Sequence, residues 1–126
     1  MDLTPLVPQG RQIIESYGDG RFRVTGAVHQ GSVLVFPDRT VGWPLAAIAE
    51  ISEISLESIA AAGDRGEIDL LLIGCGPRMT LIPGALRAAL RAKGVVIEPM
   101  DTGAAARTYN VLAAEGRKVA AALIAV

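Results

Sequence analysis

The polar side chains best suited to binding a ligand lie between residues 101 and 110. Arg107 offers a planar guanidinium for a carboxylate, and Asn110 adds hydrogen-bonding groups. Asp101 and Thr102 begin a predicted helix, whose N-terminus carries positive potential, so an anionic ligand is one interpretation. The other is structural, with Asp101 as a cap, Arg107 paired to a carboxylate and Asn110 satisfying loop backbone. The residue types leave both open.

A second candidate is the turn formed by Gly74, Cys75, Gly76 and Pro77, which follows a strongly hydrophobic segment. In open α/β sheets the ligand crevice lies beyond the carboxyl ends of the strands, so this turn is the predicted pocket floor, with Arg107 beside it. The glycines let backbone amides approach an anion. The turn nevertheless lacks the third glycine of a dinucleotide motif and the lysine of a phosphate loop. A tight turn with only steric demands is the alternative.

Three residues that occur once each are interpreted conservatively. Cys75 is the only cysteine, which excludes an internal disulfide and a multi-thiolate zinc site, and a small buried thiol is expected. His29 is the only histidine and lies in a turn-rich stretch, where we expect it to be exposed. Trp43 is expected to pack in the core or against a partner. We therefore expect no metal site, no cofactor and no catalytic residue.

The first third of the chain is dense in glycine and proline, which is typical of short strands and turns. The pattern predicts strands over residues 13–17, 21–25 and 32–36. Asp19 and Gly20 predict a hairpin between the first two strands.

The rest of the chain alternates helices and strands. Ser55 is the predicted cap of a helix over residues 56–62 that stops at Gly63, and the apolar run 68–73 predicts a central strand. The remaining predictions are a helix from Pro83 to Lys93 with Gly94 as its stop, a strand over 95–98, and a helix from the Asp101 cap to about Glu115. Residues 119–126 suit either a helix or a buried strand.

Length and composition limit the class of protein. The chain of 126 residues has room for one domain, with 51% hydrophobic residues, 20% charged residues and a net charge of -1. This charge balance argues against nucleic acid as a partner, because such surfaces depend on many basic contacts. The longest apolar stretch is far shorter than a membrane span of about 18 residues, and the start of the chain lacks the basic region of a targeting peptide.

Several segments resemble one small domain family whose best-known members are the mitochondrial assembly factor 3 proteins of NADH:ubiquinone oxidoreductase (complex I). These segments are RFRVTG (21–26), GSVLVFP (31–37), LLLIGCGP (70–77), EPMDTGAAARTYNVLAAEGR (98–117) and VAAAL (119–123), together with Trp43. The resemblance is most specific where MDT, ARTYN and EGR occur in order at close spacing.

The resemblance implies a three-layer α/β fold with a mixed central sheet and an antiparallel final strand, plus the N-terminal β-hairpin region. It favours a strand over 119–126 and adds no established catalytic residue. Cys75 stands where the family is expected to have a small hydroxyl residue. Because the chain lacks a presequence, a bacterial protein is expected, in the cytoplasm or peripheral to the inner membrane.

Two functions follow from different evidence. The resemblance implies a non-enzymatic interaction protein that assists assembly of a membrane-associated respiratory complex, with its subunits or another assembly factor as partners. The alternative is a small-molecule (anion) binding protein or an unrecognised enzyme that uses the crevice near Gly74, Cys75, Gly76, Pro77 and Arg107. The first is preferred, because no nucleophile and base occur at a recognisable spacing.

Overall fold

The computed structural model describes residues 10–126, in which five strands come first and helices and strands then alternate. The strands are β1 (Ile14–Gly18), β2 (Arg21–Val24), β3 (Ala27–Gln30), β4 (Val33–Val35), β5 (Thr40–Gly42), β6 (Leu70–Gly74), β7 (Val96–Met100) and β8 (Val119–Leu123). The helices are α1 (Glu57–Asp64), α2 (Gly84–Ala92) and α3 (Thr102–Ala114), with 3₁₀ turns at Ile48–Glu50 and Ile54–Leu56.

Strands β1, β2 and β3 form a small antiparallel sheet in sequence order. The predicted hairpin is confirmed: Asp19 and Gly20 both have positive φ, 53° and 73°, as a tight two-residue turn between strands requires. A second such turn, at Thr25 (φ 45°) and Gly26, joins β2 to β3 and was not predicted. A β-branched residue is unusual there, and Thr25 is held by exchanging two hydrogen bonds with the backbone of Ile13, each 2.9 Å.

The other five strands form the mixed central sheet, in the order β5-β4-β8-β6-β7. Strands β6, β7 and β8 are parallel to one another, whereas β4 is antiparallel to both β8 and β5. The predicted α/β class and mixed sheet are confirmed. The final strand is antiparallel only toward β4 and is parallel toward β6, because it lies in the centre of the sheet where the two directions meet.

The central sheet separates two hydrophobic clusters and so forms the middle of three layers. Helices α1 and α2 cover one face, and α3 with the small sheet covers the other. Side chains of β8 alternate between the two, with Ala120 and Ala122 facing α1 and α2, and Val119, Ala121 and Leu123 facing α3. A strand buried on both faces needs no polar positions, which explains the continuous apolar sequence of β8.

Some predicted boundaries are wrong for reasons of packing. Ser55 does not cap α1; it lies in a 3₁₀ turn, where its hydroxyl and that of Ser52 bond each other's backbone amides. Gly63 lies inside α1 rather than ending it. A Cβ at Gly63 would come within 2.5 Å of the Lys93 carbonyl oxygen, so glycine is required for close contact with the segment after α2.

The predictions for His29 and Trp43 had opposite outcomes. The prediction for His29 is wrong, because it lies in the unpredicted strand β3, partly buried and opposite Phe22. The predicted packing role of Trp43 is confirmed: its side chain is 3% exposed, and its indole N–H donates to the carbonyl of Ser55 at 2.8 Å.

Candidate functional site

The turn after β6 is closely packed against the start of α3. Gly74, Cys75 and Gly76 are all buried. A Cβ at Gly74 would lie 2.9 Å from the Thr102 Cα and 2.9 Å from a methyl group of Leu123, so only glycine fits between these elements. The glycine at this position is therefore explained by contact with the protein's own α3.

The buried Thr102 hydroxyl binds this turn to the neighbouring strand. It accepts a hydrogen bond from the Gly76 amide at 2.9 Å and donates one to the Ile124 carbonyl at 2.8 Å. The Thr102 amide also donates to the Gly76 carbonyl at 2.8 Å. The hydroxyl makes one donor and one acceptor bond, and these hold β6, β8 and α3 together.

Asp101 is the N-cap of α3, as predicted. Its carboxylate accepts a hydrogen bond from the Ala104 amide at 2.9 Å, and its own backbone is extended. A carboxylate here also complements the positive end of the helix. The positive potential that an anion would have used is therefore partly neutralised by the protein itself.

The Cys75 side chain is buried, as predicted. Its sulfur lies 3.8 Å from the Ile73 carbonyl oxygen and 3.7 Å from that of Thr80, so the thiol, a weak donor, makes only long hydrogen bonds to backbone. Burial raises the pKa of the Cys75 thiol above its usual value, because a thiolate loses hydration there. A raised pKa leaves less thiolate, which is the nucleophilic form.

Arg107 lies on the exposed side of α3 and contacts the small sheet. Its guanidinium donates to the phenol oxygen of Tyr17 at 3.1 Å. The predicted carboxylate partner is wrong: within residues 10–126 Arg107 makes no ion pair. Tyr17 lies over Gly103, where a Cβ would come within 2.6 Å of its phenol oxygen. Gly103 thus leaves room for the Tyr17 ring against α3.

Asn110 and Tyr109 attach the middle of α3 to the segment around β1. Asn110 accepts from the Ile14 amide at 2.9 Å and donates to the Ile14 carbonyl at 2.7 Å. The Tyr109 hydroxyl donates to the Gln12 carbonyl at 3.1 Å, and burial raises the pKa of this phenol far above its usual value. The predicted role of Asn110 in satisfying backbone is confirmed.

The candidate residues therefore form two groups instead of one crevice. Gly74, Cys75, Gly76, Asp101 and Thr102 meet where β6 ends and α3 begins. Arg107 and Asn110 lie farther along α3, about 8 and 12 Å from Thr102 at 1.5 Å per residue, and line a separate cavity of about 370 Å³ with Tyr17. Whether either group binds a ligand stays a prediction.

A larger groove was not predicted from the sequence. It has a volume of about 640 Å³ and is lined by residues 30–32, residues 42–46 and Ala125. At its base the buried Ser32 hydroxyl donates to the Leu45 carbonyl at 2.6 Å and accepts from the Ala125 amide at 2.9 Å. Pairing between segments far apart in sequence creates this groove, so no local pattern indicates it.

Two further observations concern metal ligands and membrane-spanning helices. Across residues 10–126 no group of three His, Cys, Asp or Glu side chains is placed to hold a metal ion. In the same part of the chain no helix combines the length and the apolar character that crossing a membrane requires.

Comparison with known protein families shows to which family the chain belongs. The profile of the family described as "Protein of unknown function (DUF498/DUF598)" matches residues 14–124, and the protein belongs to this family. An uncharacterised protein of Rhodobacter capsulatus is 41% identical over 115 residues, which are 88% of this chain and 82% of that protein.

Relatives that are named as assembly factors are longer than this chain. Human NADH dehydrogenase (ubiquinone) 1 alpha subcomplex assembly factor 3 is 31% identical over 111 residues, which are 88% of this chain but only 59% of the human protein. The Xenopus tropicalis protein of the same name is 32% identical, with 60% of its length covered. The resemblance found in the sequence is confirmed.

Solved structures share the fold. A protein of Bartonella henselae, described as an outer membrane protein, is 38% identical with a TM-score of 0.85, covering 93% of this chain and 97% of that one. A Bordetella pertussis protein, described as a Mth938-like domain, is 30% identical with a TM-score of 0.83, covering 98% and 92%.

Proposed function

We propose that this DUF498/DUF598 protein is a non-enzymatic interaction protein that assists assembly of a membrane-associated respiratory complex. Support comes from relatives named as assembly factors of NADH dehydrogenase, which match 88% of this chain. Its partners would be subunits of the complex or another assembly factor. It would act in the cytoplasm of a bacterium or at the surface of the inner membrane.

The observation that carries the proposal is the closed polar cluster at the start of α3. The Thr102 hydroxyl and the Asp101 carboxylate bond the protein's own backbone, and farther along α3 Asn110 likewise makes two bonds to Ile14. These groups are hydrogen-bonded without a substrate, and the one thiol is buried with a raised pKa. A site for a reaction would instead need a reactive group directed into an open cleft.

Genetic complementation tests the assembly role. The gene of the family member is deleted in a bacterium with a respiratory NADH dehydrogenase, and this chain is expressed from a plasmid. We expect the deletion to lower the amount of fully assembled complex on a native gel, and this chain to restore it. Unchanged assembly in the deletion strain would contradict the proposal.

A second candidate function, binding of a small anion, has one observation in its favour. Arg107 has a phenol as its partner and no carboxylate within residues 10–126, so its charge is not neutralised by a direct ion pair. The cavity of about 370 Å³ beside it would hold the anion. Glu15 also lines this cavity, and its negative charge opposes such a ligand.

Melting curves with a panel of anions test this second function. Wild type, Arg107→Ala and the control Arg91→Ala, which removes an exposed arginine from α2, are compared with phosphate, citrate and nucleotides at millimolar concentration. We expect no anion to stabilise wild type by more than about 1 kcal/mol. A much larger shift, lost in Arg107→Ala and kept in Arg91→Ala, would instead establish anion binding.

A further inference from the structure

The two edges of the central sheet are built differently, and the edge formed by β7 is closed. The bonds from the Val96 amide to Asp69 and from the Cys75 amide to Met100 show that even-numbered residues of β7 face β6. The backbone groups of Ile97 and Pro99 therefore point away from β6, toward the outside of the sheet. The Ile97 carbonyl accepts a bond from the Arg87 guanidinium at 2.9 Å, and Pro99 has no N–H. Both features hinder the addition of another strand.

The opposite edge, β5, has no further strand beside it within residues 10–126. Backbone hydrogen bonds join residue 36 to residue 39 and residue 43 to residue 32. Hydrogen-bonded and non-hydrogen-bonded pairs alternate along an antiparallel pair of strands, so the pair between these two bonds is Leu34 with Val41. Thr40 and Gly42 must then direct their N–H and C=O groups away from the sheet. Within residues 10–126 these backbone groups have no hydrogen-bond partner. They offer two donors and two acceptors in the arrangement that an added strand needs.

An apolar groove lies beside this edge, on the side of α1. Its volume is about 470 Å³, and Leu34, Val41, Trp43 and Ile54 line its apolar part. Val41 is 39% exposed and Ile54 is 80% exposed, although both are large hydrophobic residues. Such exposed apolar side chains together with unpaired backbone are typical of an interaction surface.

The rim of the groove is acidic. Residues 46–64 contain four acidic residues and no lysine or arginine, and one of the four, Asp64, is paired with Lys93 at 3.2 Å. Glu50 and Glu57 line the groove, and Glu53 and Glu57 line an adjoining cavity of about 310 Å³ that Lys93 also lines. Glu53 and Glu57 make no ion pair within residues 10–126. The charge of this surface complements a basic partner.

We propose that β5 is the docking edge for an extended basic segment of a partner protein. The segment adds as a sixth strand beside Thr40 and Gly42. The segment runs antiparallel to β5. On the side of α1 it places one apolar side chain against Val41 and Ile54, with lysine or arginine two positions before it, at the Trp43 end and facing the glutamates. The position two after it lies opposite Arg39, whose guanidinium packs over Phe36 on the same face, so a basic residue is not expected there. Side chains of a strand alternate between faces, so apolar and basic residues two apart share one face. The inference rests on the proposed function as an interaction protein.

A synthetic peptide with the sequence Thr-Lys-Thr-Val-Thr-Thr-Thr tests the docking edge. Its lysine and its valine share one face. When the valine lies opposite Val41, the two threonines beside the valine exchange backbone bonds with Thr40 and Gly42, whereas the valine amide points away. N-methylation of those two threonines removes the two bonds that their amides donate, and N-methylation of the valine is the matched control.

Binding is measured by fluorescence anisotropy of the labelled peptide at low salt. We expect the peptide with N-methylated threonines to bind at least about tenfold more weakly than the control, because two backbone bonds are lost. Glutamate in place of lysine should weaken binding by a similar factor. Ile54→Ala should also weaken it, and Val111→Ala, which shortens a side chain 57% exposed on α3, should not.

Three results would overturn the docking edge: no binding, equal binding of the two N-methylated peptides, or equal affinities of wild type and Ile54→Ala. A dimer that Ile54→Ala dissociates in sedimentation would also overturn it, because the occupant would be a second copy. Complementation separates this proposal from the assembly role. If wild type fails to restore assembly but binds the peptide as described, only the assembly role fails.

Discussion

Replacing Thr102 by valine tests whether the polar cluster at the start of α3 holds the fold. Valine has nearly the shape of threonine, so Thr102→Val removes the hydroxyl and leaves the packing almost unchanged. The Gly76 amide and the Ile124 carbonyl then lose their bonds to it, which measure 2.9 and 2.8 Å. A buried polar group left unsatisfied costs about 1 to 3 kcal/mol, so with two such groups the free energy of unfolding should fall by about 2 to 6 kcal/mol.

Thr102→Ser is the matched control, because it keeps the hydroxyl and loses a methyl group worth about 1 kcal/mol. Urea unfolding is followed by circular dichroism for wild type and both variants, and the free energies are compared at constant slope. Wild type should be the most stable, followed by Thr102→Ser and then Thr102→Val. If valine were as stable as serine, the two hydrogen bonds would not stabilise the fold, and the hydroxyl would be free to serve a ligand.

Three further predictions concern single positions. Asp101→Ala should lower the free energy of unfolding by about 0.5 to 2 kcal/mol through loss of the helix cap, and an unchanged denaturation midpoint would rule the cap out as a stabilising contact. Cys75 should react slowly with a thiol reagent at neutral pH in the native protein and rapidly in urea, because burial raises its pKa; fast stoichiometric labelling of the native protein would contradict this. Gly63→Ala should destabilise by about 1 to 3 kcal/mol through its clash with the Lys93 carbonyl, whereas Gly84→Ala, which meets nothing within 4 Å, should be neutral or stabilising in thermal melts.

The elements that the sequence predicts well are those defined by local patterns. Strand β6 is a continuous apolar run, α2 lies between Pro83 and Gly94, and α3 starts at its Asp101 cap. The two missed strands, β3 and β5, are only four and three residues long. Such short strands depend on pairing with a neighbour, which no local period reveals.

The site residues show the same division between local and distant causes. The Asp101 cap bonds an amide three residues away, so the sequence predicts it. Arg107 bonds Tyr17, which is 90 residues away in the sequence, and Asn110 bonds Ile14 at a separation of 96. The sequence shows that these side chains can form such bonds but not where their partners lie. The predicted carboxylate partner of Arg107 was wrong because the sequence does not show that Tyr17 lies beside it.

The polar residues of α3 join elements of both sheets. Thr102 bonds the segments that follow β6 and β8, and Asn110 bonds the first residue of β1. Tyr109 reaches the backbone of Gln12 and, at 3.4 Å, of Phe36. One helix thus fixes the small sheet on the central sheet, which explains Tyr109 and Asn110 through their bonds to backbone and Arg107 through its bond to the Tyr17 phenol. Since these groups are occupied within the fold, a partner is better sought at a surface that they do not form. The edge at β5 meets that condition, because the outward backbone groups of Thr40 and Gly42 have no hydrogen-bond partner among residues 10–126.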